Sequence, residues 1–159
     1  MEKINIICVD DQPEVLDSVV RDLRPLSKFF RIEDCESAAA ATKLIEEIFE
    51  SGDCVALIVS DHVMPGESGV DFLGKVSKDE RFSGTRKILL TGQATLADTI
   101  RAINEARIDS YFEKPWKADA LLKGTKKLVT EFILEKGIDH RPYMEVLDQG
   151  VLLDNLRRG

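Results

Sequence analysis

The sequence has no cluster of basic residues and no long apolar run, and each absence excludes a class of function. Its 159 residues include 22 Lys and Arg against 29 Asp and Glu, which gives a net charge of −7. An acidic chain without a basic patch is poorly suited to bind nucleic acid or an anionic membrane surface. No apolar run approaches the roughly 20 residues that cross a bilayer, and the first residues lack a signal-peptide pattern.

Cysteine is scarce, and its placement excludes a disulfide framework or a CxxC metal site. The three cysteines are Cys8, Cys35 and Cys54, and each lies in or beside an apolar stretch. We therefore expect buried free thiols in a reducing compartment. Hydrophobic residues make up 43% of the chain, which is enough for one folded core. These features predict a cytoplasmic protein of about one domain, with no direct contact to nucleic acid or membrane.

Short apolar runs alternate with segments of helical periodicity along most of the chain. The runs cover residues 4–9, 29–32, 55–59, 88–90 and 110–112. Each is followed by apolar residues at helical spacing, so the pattern contains five β-α units. Short connections between such units predict an α/β fold, a parallel sheet with helices on both faces. Ligands of these sheets bind beyond the carboxyl ends of the strands, where the strand order reverses.

The residues that follow the predicted strands form a chemically coherent set, namely Asp10, Asp11, Asp61, Thr91 and Lys114. Three carboxylates at one sheet edge repel one another, and a hard divalent cation such as Mg²⁺ relieves that repulsion. The lysine adds a positive charge and the threonine a hydroxyl donor, whereas the set lacks the His or Cys that would favour zinc. Such a site suits phosphoryl transfer to a carboxylate, and Asp61 is the preferred acceptor because it stands alone on the central strand.

These residues belong to motifs that follow one another in a fixed order. The motifs are Val9-Asp10-Asp11, Ser60-Asp61 with Pro65-Gly66 after it, Leu90-Thr91-Gly92 and Phe112-Glu113-Lys114-Pro115. In this order they resemble the receiver domain of two-component response regulators, of the chemotaxis-response-regulator type, over residues 1–126. The resemblance implies a doubly wound, flavodoxin-like (βα)5 fold with strand order 2-1-3-4-5. Residues 127–159 are then expected to continue helix five as a helical extension.

The resemblance also implies a phosphoryl donor and a metal. Asp61 would accept a phosphoryl group from a sensor histidine kinase or a phosphotransfer protein. Asp10, Asp11 and Asp61 would bind Mg²⁺, which Mn²⁺ could replace, together with the backbone carbonyl of Val63. The protein would catalyse only its own phosphotransfer and a slow autodephosphorylation, so it is not expected to be a turnover enzyme.

The remaining roles implied by the resemblance concern the phosphoryl oxygens and the switch. Lys114 and the Thr91 hydroxyl would hold phosphoryl oxygens. Thr91 and Tyr111 would form the switch that reshapes the face of helix four, strand five and helix five toward a downstream protein or output domain. Three positions around the acceptor could tune dephosphorylation: His62, Val63 and Gln93.

Two other functions fit part of the pattern. Haloacid-dehalogenase-type phosphatases also use a strand-end Asp with Mg²⁺, a Thr and a Lys, but they carry a second Asp two residues later. Val63 occupies that position here, which disfavours a turnover phosphatase. The other alternative is an adaptor with a receiver fold that acts without phosphorylation, through protein contact alone.

The last fifth of the chain, residues 127–159, has apolar residues at helical spacing on both sides of Gly137 and Pro142. The segment is too short for a typical DNA-binding output domain. Its apolar residues must be buried, either on the receiver or on a second chain. We expect a helical extension that mediates a homodimer or links to an output region, with packing on the receiver as the alternative.

Overall fold

The computed structural model describes residues 2–92 and 95–158. It contains five parallel strands: β1 (Ile4–Val9), β2 (Arg31–Cys35), β3 (Cys54–Asp61), β4 (Arg86–Thr91) and β5 (Ser110–Glu113). They form one sheet in the order β2-β1-β3-β4-β5. The order reverses at β1, which opens a cleft beyond the carboxyl ends of β1 and β3. The predicted doubly wound, flavodoxin-like fold is confirmed.

Six α-helices connect or follow the strands in the described part of the chain. They are α1 (Pro13–Leu23), α2 (Ala38–Glu50), α3 (Gly69–Lys78), α4 (Leu96–Arg101), α5 (Ala118–Lys136) and α6 (Gln149–Arg158). α4 continues into a π-helix, Ala102–Ala106. At the starts of α2, α3 and α4, a side-chain hydroxyl accepts a hydrogen bond from a backbone N–H, which explains where these helices begin. The capping residues are Ser37, Ser68 and Thr95.

The sheet is buried on both faces, so its inner strands are nearly continuous apolar runs. Ile6 packs with residues of α1 and α5, whereas its neighbour Ile7 packs with residues of α2 and α3. The alternation follows from the two-residue period of a strand. The two apolar layers hold β1 and β3 firmly, and the positions of the residues at their carboxyl ends are correspondingly fixed.

α4 differs from the other helices because its apolar side chains face solvent. Leu96 and Ile100 of α4 are exposed, and so is Ile103 of the π-helix that follows it. The segment is held instead through Ala102 and Ala106 of the π-helix, which are buried in the same apolar cluster as α3. Helical spacing alone does not distinguish an inner from an outer apolar stripe, and here the small alanines form the inner one.

The extension packs on the receiver portion of the same chain. Tyr143, Val146, Leu147 and Leu152 are buried in the apolar cluster of α1 and α5. Tyr143 stacks on Phe30 with ring centroids 5.3 Å apart. The predicted helical extension is therefore present, and part of its apolar surface is covered within the chain, whereas Met144, Leu153 and Leu156 are exposed. A role in dimerisation or as a linker, and a domain division after residue 126, stay predictions.

The extension also contacts α5 at two further places. The Asp148 backbone N–H donates to the Thr130 hydroxyl over 2.9 Å. Asp154 and Arg158 of α6 line one surface groove with Arg86 of β4 and Glu135 of α5. α5 thus contacts both the sheet and the extension.

Lys87 is an unusual component of the core, because its ammonium is buried at the start of β4. Its Nζ donates to the Thr85 carbonyl over 3.0 Å, while the Asp109 carboxylate accepts from the Lys87 backbone N–H over 2.7 Å. Burial lowers the pKa of the lysine, and the Asp109 charge only partly opposes that effect. A charge in this position costs the folded state free energy.

We expect Lys87→Met to raise the free energy of unfolding by about 1–2 kcal/mol at neutral pH, because it removes the buried charge and keeps the side-chain length. A lowered lysine pKa means that the unfolded chain binds more protons between the two pKa values, so the wild type gains stability as the pH rises. The advantage of Lys87→Met should therefore shrink at alkaline pH. Urea unfolding at neutral and at alkaline pH measures the difference in the free energy of unfolding between variant and wild type. Lys78→Met, at an exposed position, is the control. A variant less stable than wild type at neutral pH would contradict the prediction.

Candidate functional site

The acidic residues at the ends of β1 and β3 lie together. One carboxylate oxygen from each of Asp10, Asp11 and Asp61 lies within 4.8 Å of the others. The parallel register sets Val9 beside Ser60, so Asp10 and Asp61 leave the sheet as neighbours. Asp10 is 1% exposed and Asp61 5% exposed. The structure therefore brings the three predicted metal-binding carboxylates to one partly buried point.

Lys114 reaches the same point from the end of β5. Its Nζ donates to Asp61 Oδ1 over 2.7 Å and to Asp10 Oδ2 over 3.1 Å. Its backbone N–H donates to the Thr91 carbonyl over 2.8 Å, which joins the ends of β4 and β5. The lysine thus lies against the two most buried carboxylates of the cluster.

The cluster brings three carboxylates together with one ammonium, and burial and these charges shift the pKa values of Asp61 and Lys114. Burial raises the pKa of the Asp61 carboxyl above its ordinary value, and the Asp10 charge adds to this although the Lys114 hydrogen bond opposes it. Burial alone would lower the pKa of Lys114, but bonding to Asp61 and Asp10 outweighs it and raises the pKa. Lys114 therefore offsets the effect of burial on the Asp61 pKa only in part, and the cluster still has three carboxylates for one ammonium. A divalent cation suits this surplus of charge.

The Thr91 hydroxyl is a second feature of the site that fits a bound anion. Thr91 ends β4 and is 1% exposed. Its Oγ1 is fully buried and has no hydrogen-bond partner within residues 2–92 and 95–158. A buried polar atom without a partner costs about 1–3 kcal/mol. An anionic oxygen bound beside the carboxylate cluster would supply the acceptor that this hydroxyl lacks.

The loop after Asp61 is shaped by a close backbone approach. The Gly69 N–H donates to the His62 carbonyl over 2.7 Å, and the His62 N–H donates to the Leu90 carbonyl over 3.0 Å. A Cβ on Gly69 would lie 2.0 Å from the Asp61 carbonyl oxygen, so no other residue fits there without moving the acceptor strand. Sequence patterns indicate only a loop at Gly69, because this contact is not local.

The residues with predicted tuning or switching roles lie around this loop and on β5. The Val63 side chain is 76% exposed, two residues after Asp61. The buried His62 Nδ1 has no partner in the described part of the chain. Tyr111 is 42% exposed and stands on the edge strand, in register with Leu89 of β4. Gln93 lies outside the described residues.

The strand order and the acidic cluster at the switch point define a doubly wound α/β domain of the flavodoxin-like class with an acidic cleft. Residues 6–126 match the sequence model of the response regulator receiver domain. The chain therefore belongs to the response regulator receiver domain family, a family of two-component signalling and not of classical enzymes. This membership decides against the haloacid-dehalogenase-type phosphatase. Receiver domains generally bind Mg²⁺ in an acidic pocket and act with histidine kinases and output domains.

Two curated relatives show how the chain compares in length. It is 34% identical over 131 residues to the hydrogenase transcriptional regulatory protein HoxA of Bradyrhizobium diazoefficiens, covering 82% of this chain and 25% of that protein. It is 30% identical over 120 residues to the response regulator Rre1 of Synechocystis, covering 76% of this chain and 49% of that protein. The chain therefore spans about a quarter to a half of these relatives.

Solved structures show the same similarity. The signal receiver domain of an HD domain-containing protein from Pseudomonas fluorescens Pf-5 has a TM-score of 0.74 and 26% identity, over 86% of this chain and 94% of that one. A CheY-like receiver domain protein from Methanospirillum hungatei has a TM-score of 0.71 and 28% identity, over 85% of this chain and 99% of that one. No helix within the described residues has the length and apolar character needed to span a membrane.

Proposed function

We propose that this receiver is a phosphoacceptor in which Asp61 takes a phosphoryl group from the phosphohistidine of a histidine kinase or phosphotransfer protein. The observation that supports this most is the Lys114 ammonium, 2.7 Å from Asp61 Oδ1. The buried Thr91 hydroxyl, which has no hydrogen-bond partner among the described residues, ends the neighbouring strand β4. In the transfer, an Asp61 oxygen forms the new P–O bond while the N–P bond of the donor breaks. The imidazole nitrogen keeps the bonding electron pair and takes a proton from solvent.

The positions of Lys114 and Thr91 favour the transition state of this reaction. Negative charge spreads over the equatorial phosphoryl oxygens, so fixed cations and hydrogen-bond donors lower the barrier. The Lys114 ammonium supplies a charge and the Thr91 hydroxyl supplies one donor. Both groups are attached to strand ends, which keeps them in place before the phosphoryl group arrives.

The carboxylates of Asp10, Asp11 and Asp61 would hold Mg²⁺, together with the Val63 carbonyl, and Mn²⁺ could substitute. All four donors are oxygens, as a hard divalent cation prefers. When bound, the cation supplies positive charge against the carboxylates and the phosphoryl oxygens. The three carboxylate oxygens within 4.8 Å of one another, with a single ammonium against them, support this assignment.

Phosphorylation would act on α4, β5 and α5. It adds a charge of about −1.5 to −2 beside Thr91, whose hydroxyl can turn toward the new oxygens. Tyr111 and the exposed apolar residues of α4 would then shift between two packings and change what binds this face. The output would be a downstream protein, an output domain or a second copy of the chain. His62, Val63 and Gln93 are positions that would tune how long the phosphoryl group persists.

We further propose that residues 1–126 form the receiver unit and that residues 127–159 extend it. The extension would connect the receiver to a homodimer partner or an output region. The free thiols of Cys8 and Cys35, both buried, are compatible with a cytoplasmic location, where sensor kinases present their phosphohistidine.

A small phosphodonor tests the proposed function directly. The chain is incubated with phosphoramidate and Mg²⁺, and intact mass spectrometry measures the added phosphoryl group. We expect one hydroxylamine-labile group per chain and none with excess EDTA. If neither phosphoramidate nor a panel of phosphorylated histidine kinases labels the chain, the adaptor that acts without phosphorylation is favoured.

Mg²⁺ is expected to stabilise the chain because it binds the folded carboxylate cluster and not the unfolded chain. At about 100 times its Kd the gain is about 2.7 kcal/mol. Thermal unfolding across a Mg²⁺ series measures the shift. Asp11→Asn should weaken the response, while Asp119→Asn, an exposed carboxylate of α5, should leave it intact. An equal response in both variants would contradict the assigned site.

A further inference from the structure

The loop that carries Lys114 is tied to α1 by the only tryptophan of the chain. Trp116 Nε1 donates to Asp22 Oδ2 over 2.8 Å. The ring is partly buried and packs against the apolar cluster of α1 and α5. This contact orients the indole, because the ring packs against apolar side chains while its N–H donates a hydrogen bond.

The position of the Lys114 ammonium depends on the loop backbone. A lysine side chain has four rotatable bonds, so its backbone must be fixed if the ammonium is to stay against two carboxylates. Upstream, the Lys114 N–H is fixed by the Thr91 carbonyl at 2.8 Å. Downstream, α5 begins at Ala118, and its N-cap residue Lys117 makes no side-chain capping hydrogen bond. The Trp116 contact with Asp22 therefore supplies a side-chain anchor on the downstream side.

The other end of this contact is equally well fixed. Asp22 lies in α1, which follows directly after Asp10 and Asp11 and is held by its buried residues Leu16, Val19 and Leu23. The Asp22 side chain is 13% exposed, so it is largely shielded from water. The contact thus connects the lysine loop to the helix that follows the acidic pair.

We propose that Trp116 and Asp22 are positioning residues that hold Lys114 against Asp61 and Asp10. This inference rests on the proposed function, because it assigns the pair a role in phosphoryl transfer through the lysine. The alternative is that the pair only stabilises the fold.

Labelling rates separate the two roles. We expect Trp116→Phe and Asp22→Ala to slow labelling by phosphoramidate about three- to tenfold at saturating Mg²⁺, since they break a hydrogen bond to a charged group. Asp22→Asn keeps an oxygen acceptor and should recover part of the rate. Tyr143→Leu, which disturbs the extension away from the loop, is the stability control and should label at the wild-type rate. All rates are measured below the unfolding transition of every variant.

A double-mutant cycle with Lys114→Ala provides the decisive readout. If Trp116 acts through the lysine, Trp116→Phe should cause no further loss in the Lys114→Ala chain. The same fold-loss in both backgrounds, or a wild-type rate in the single variants, would overturn the inference. If Trp116→Phe does not fold, Asp22→Ala and Asp22→Asn replace it, because they leave the ring in place. An unlabelled wild type would refute the proposed function itself, which is a different result.

Discussion

Asp61→Asn is expected to abolish labelling of the chain, with a fall of more than about a thousandfold, or about 4 kcal/mol in barrier height. The amide that replaces the carboxylate has no nucleophilic oxygen anion, while Asp10 and Asp11 still provide carboxylates to a metal. Intact mass spectrometry after incubation with phosphoramidate, or with a phosphorylated kinase, measures the loss. Asp119→Asn is the matched control. A hydroxylamine-labile phosphoryl group on Asp61→Asn would show that the acceptor is a different residue.

The same substitution should make the metal-free chain more stable at neutral pH. Because the folded pKa of Asp61 is raised, its ionised form costs the folded state free energy once the pH exceeds that pKa. Asparagine removes this cost and can still accept a hydrogen bond from Lys114. The advantage should vanish as the pH falls below the ordinary Asp pKa, since the carboxyl is then protonated in both states. Urea unfolding midpoints in EDTA measure the stability difference between the variant and the wild type. If Asp61→Asn is less stable than the wild type at neutral pH, the raised pKa of Asp61 in the folded chain is contradicted.

Truncation of the chain after Gly137 is expected to lower the free energy of unfolding by about 3–6 kcal/mol. It removes Tyr143, Val146, Leu147 and Leu152 from the apolar cluster and uncovers Phe30. Full burial of one large apolar side chain contributes about 1.5–3 kcal/mol, and partial collapse of the exposed surface recovers some of it. Urea unfolding measures the effect.

Truncation after Asn155 is the matched control, because Leu156, Arg157 and Arg158, which it removes, are exposed. It should change the free energy of unfolding by less than about 0.5 kcal/mol. Similar midpoints for the two truncated chains would show that the extension is not part of the folded unit. Light scattering on the same samples, with and without beryllofluoride, tests the predicted homodimer.

The fold was predictable because its signals are local. Strands buried on both faces are continuous apolar runs, and Ser37 marks the start of α2 by its type and position. The candidate site was predictable for a related reason: parallel strands bring their carboxyl ends to one edge, so Asp10 and Asp61 meet although they are distant in sequence. The family assignment confirms the receiver, and the individual roles of the site residues stay predictions.

The features that sequence patterns did not predict all depend on contacts between distant residues. Tyr143 lies on Phe30 because the extension folds back over α5, and no local pattern specifies that return. The bond from Trp116 to Asp22 and the approach of Gly69 to the Asp61 carbonyl are of the same kind. The outward apolar stripe of α4 is different: its periodicity was visible, but its direction is set by the small alanines that pack beneath it.

The packing of the extension on α5 divides the proposed output face into a stiff half and a compliant half. α5 contacts β3, β4, α1 and α6, so local opening there requires contacts to several elements to break at once. α4 is one short helix joined to a π-helix, and its apolar side chains are uncovered. Rearrangement on this face would therefore concentrate in α4, with α5 as the fixed frame against which the movement occurs.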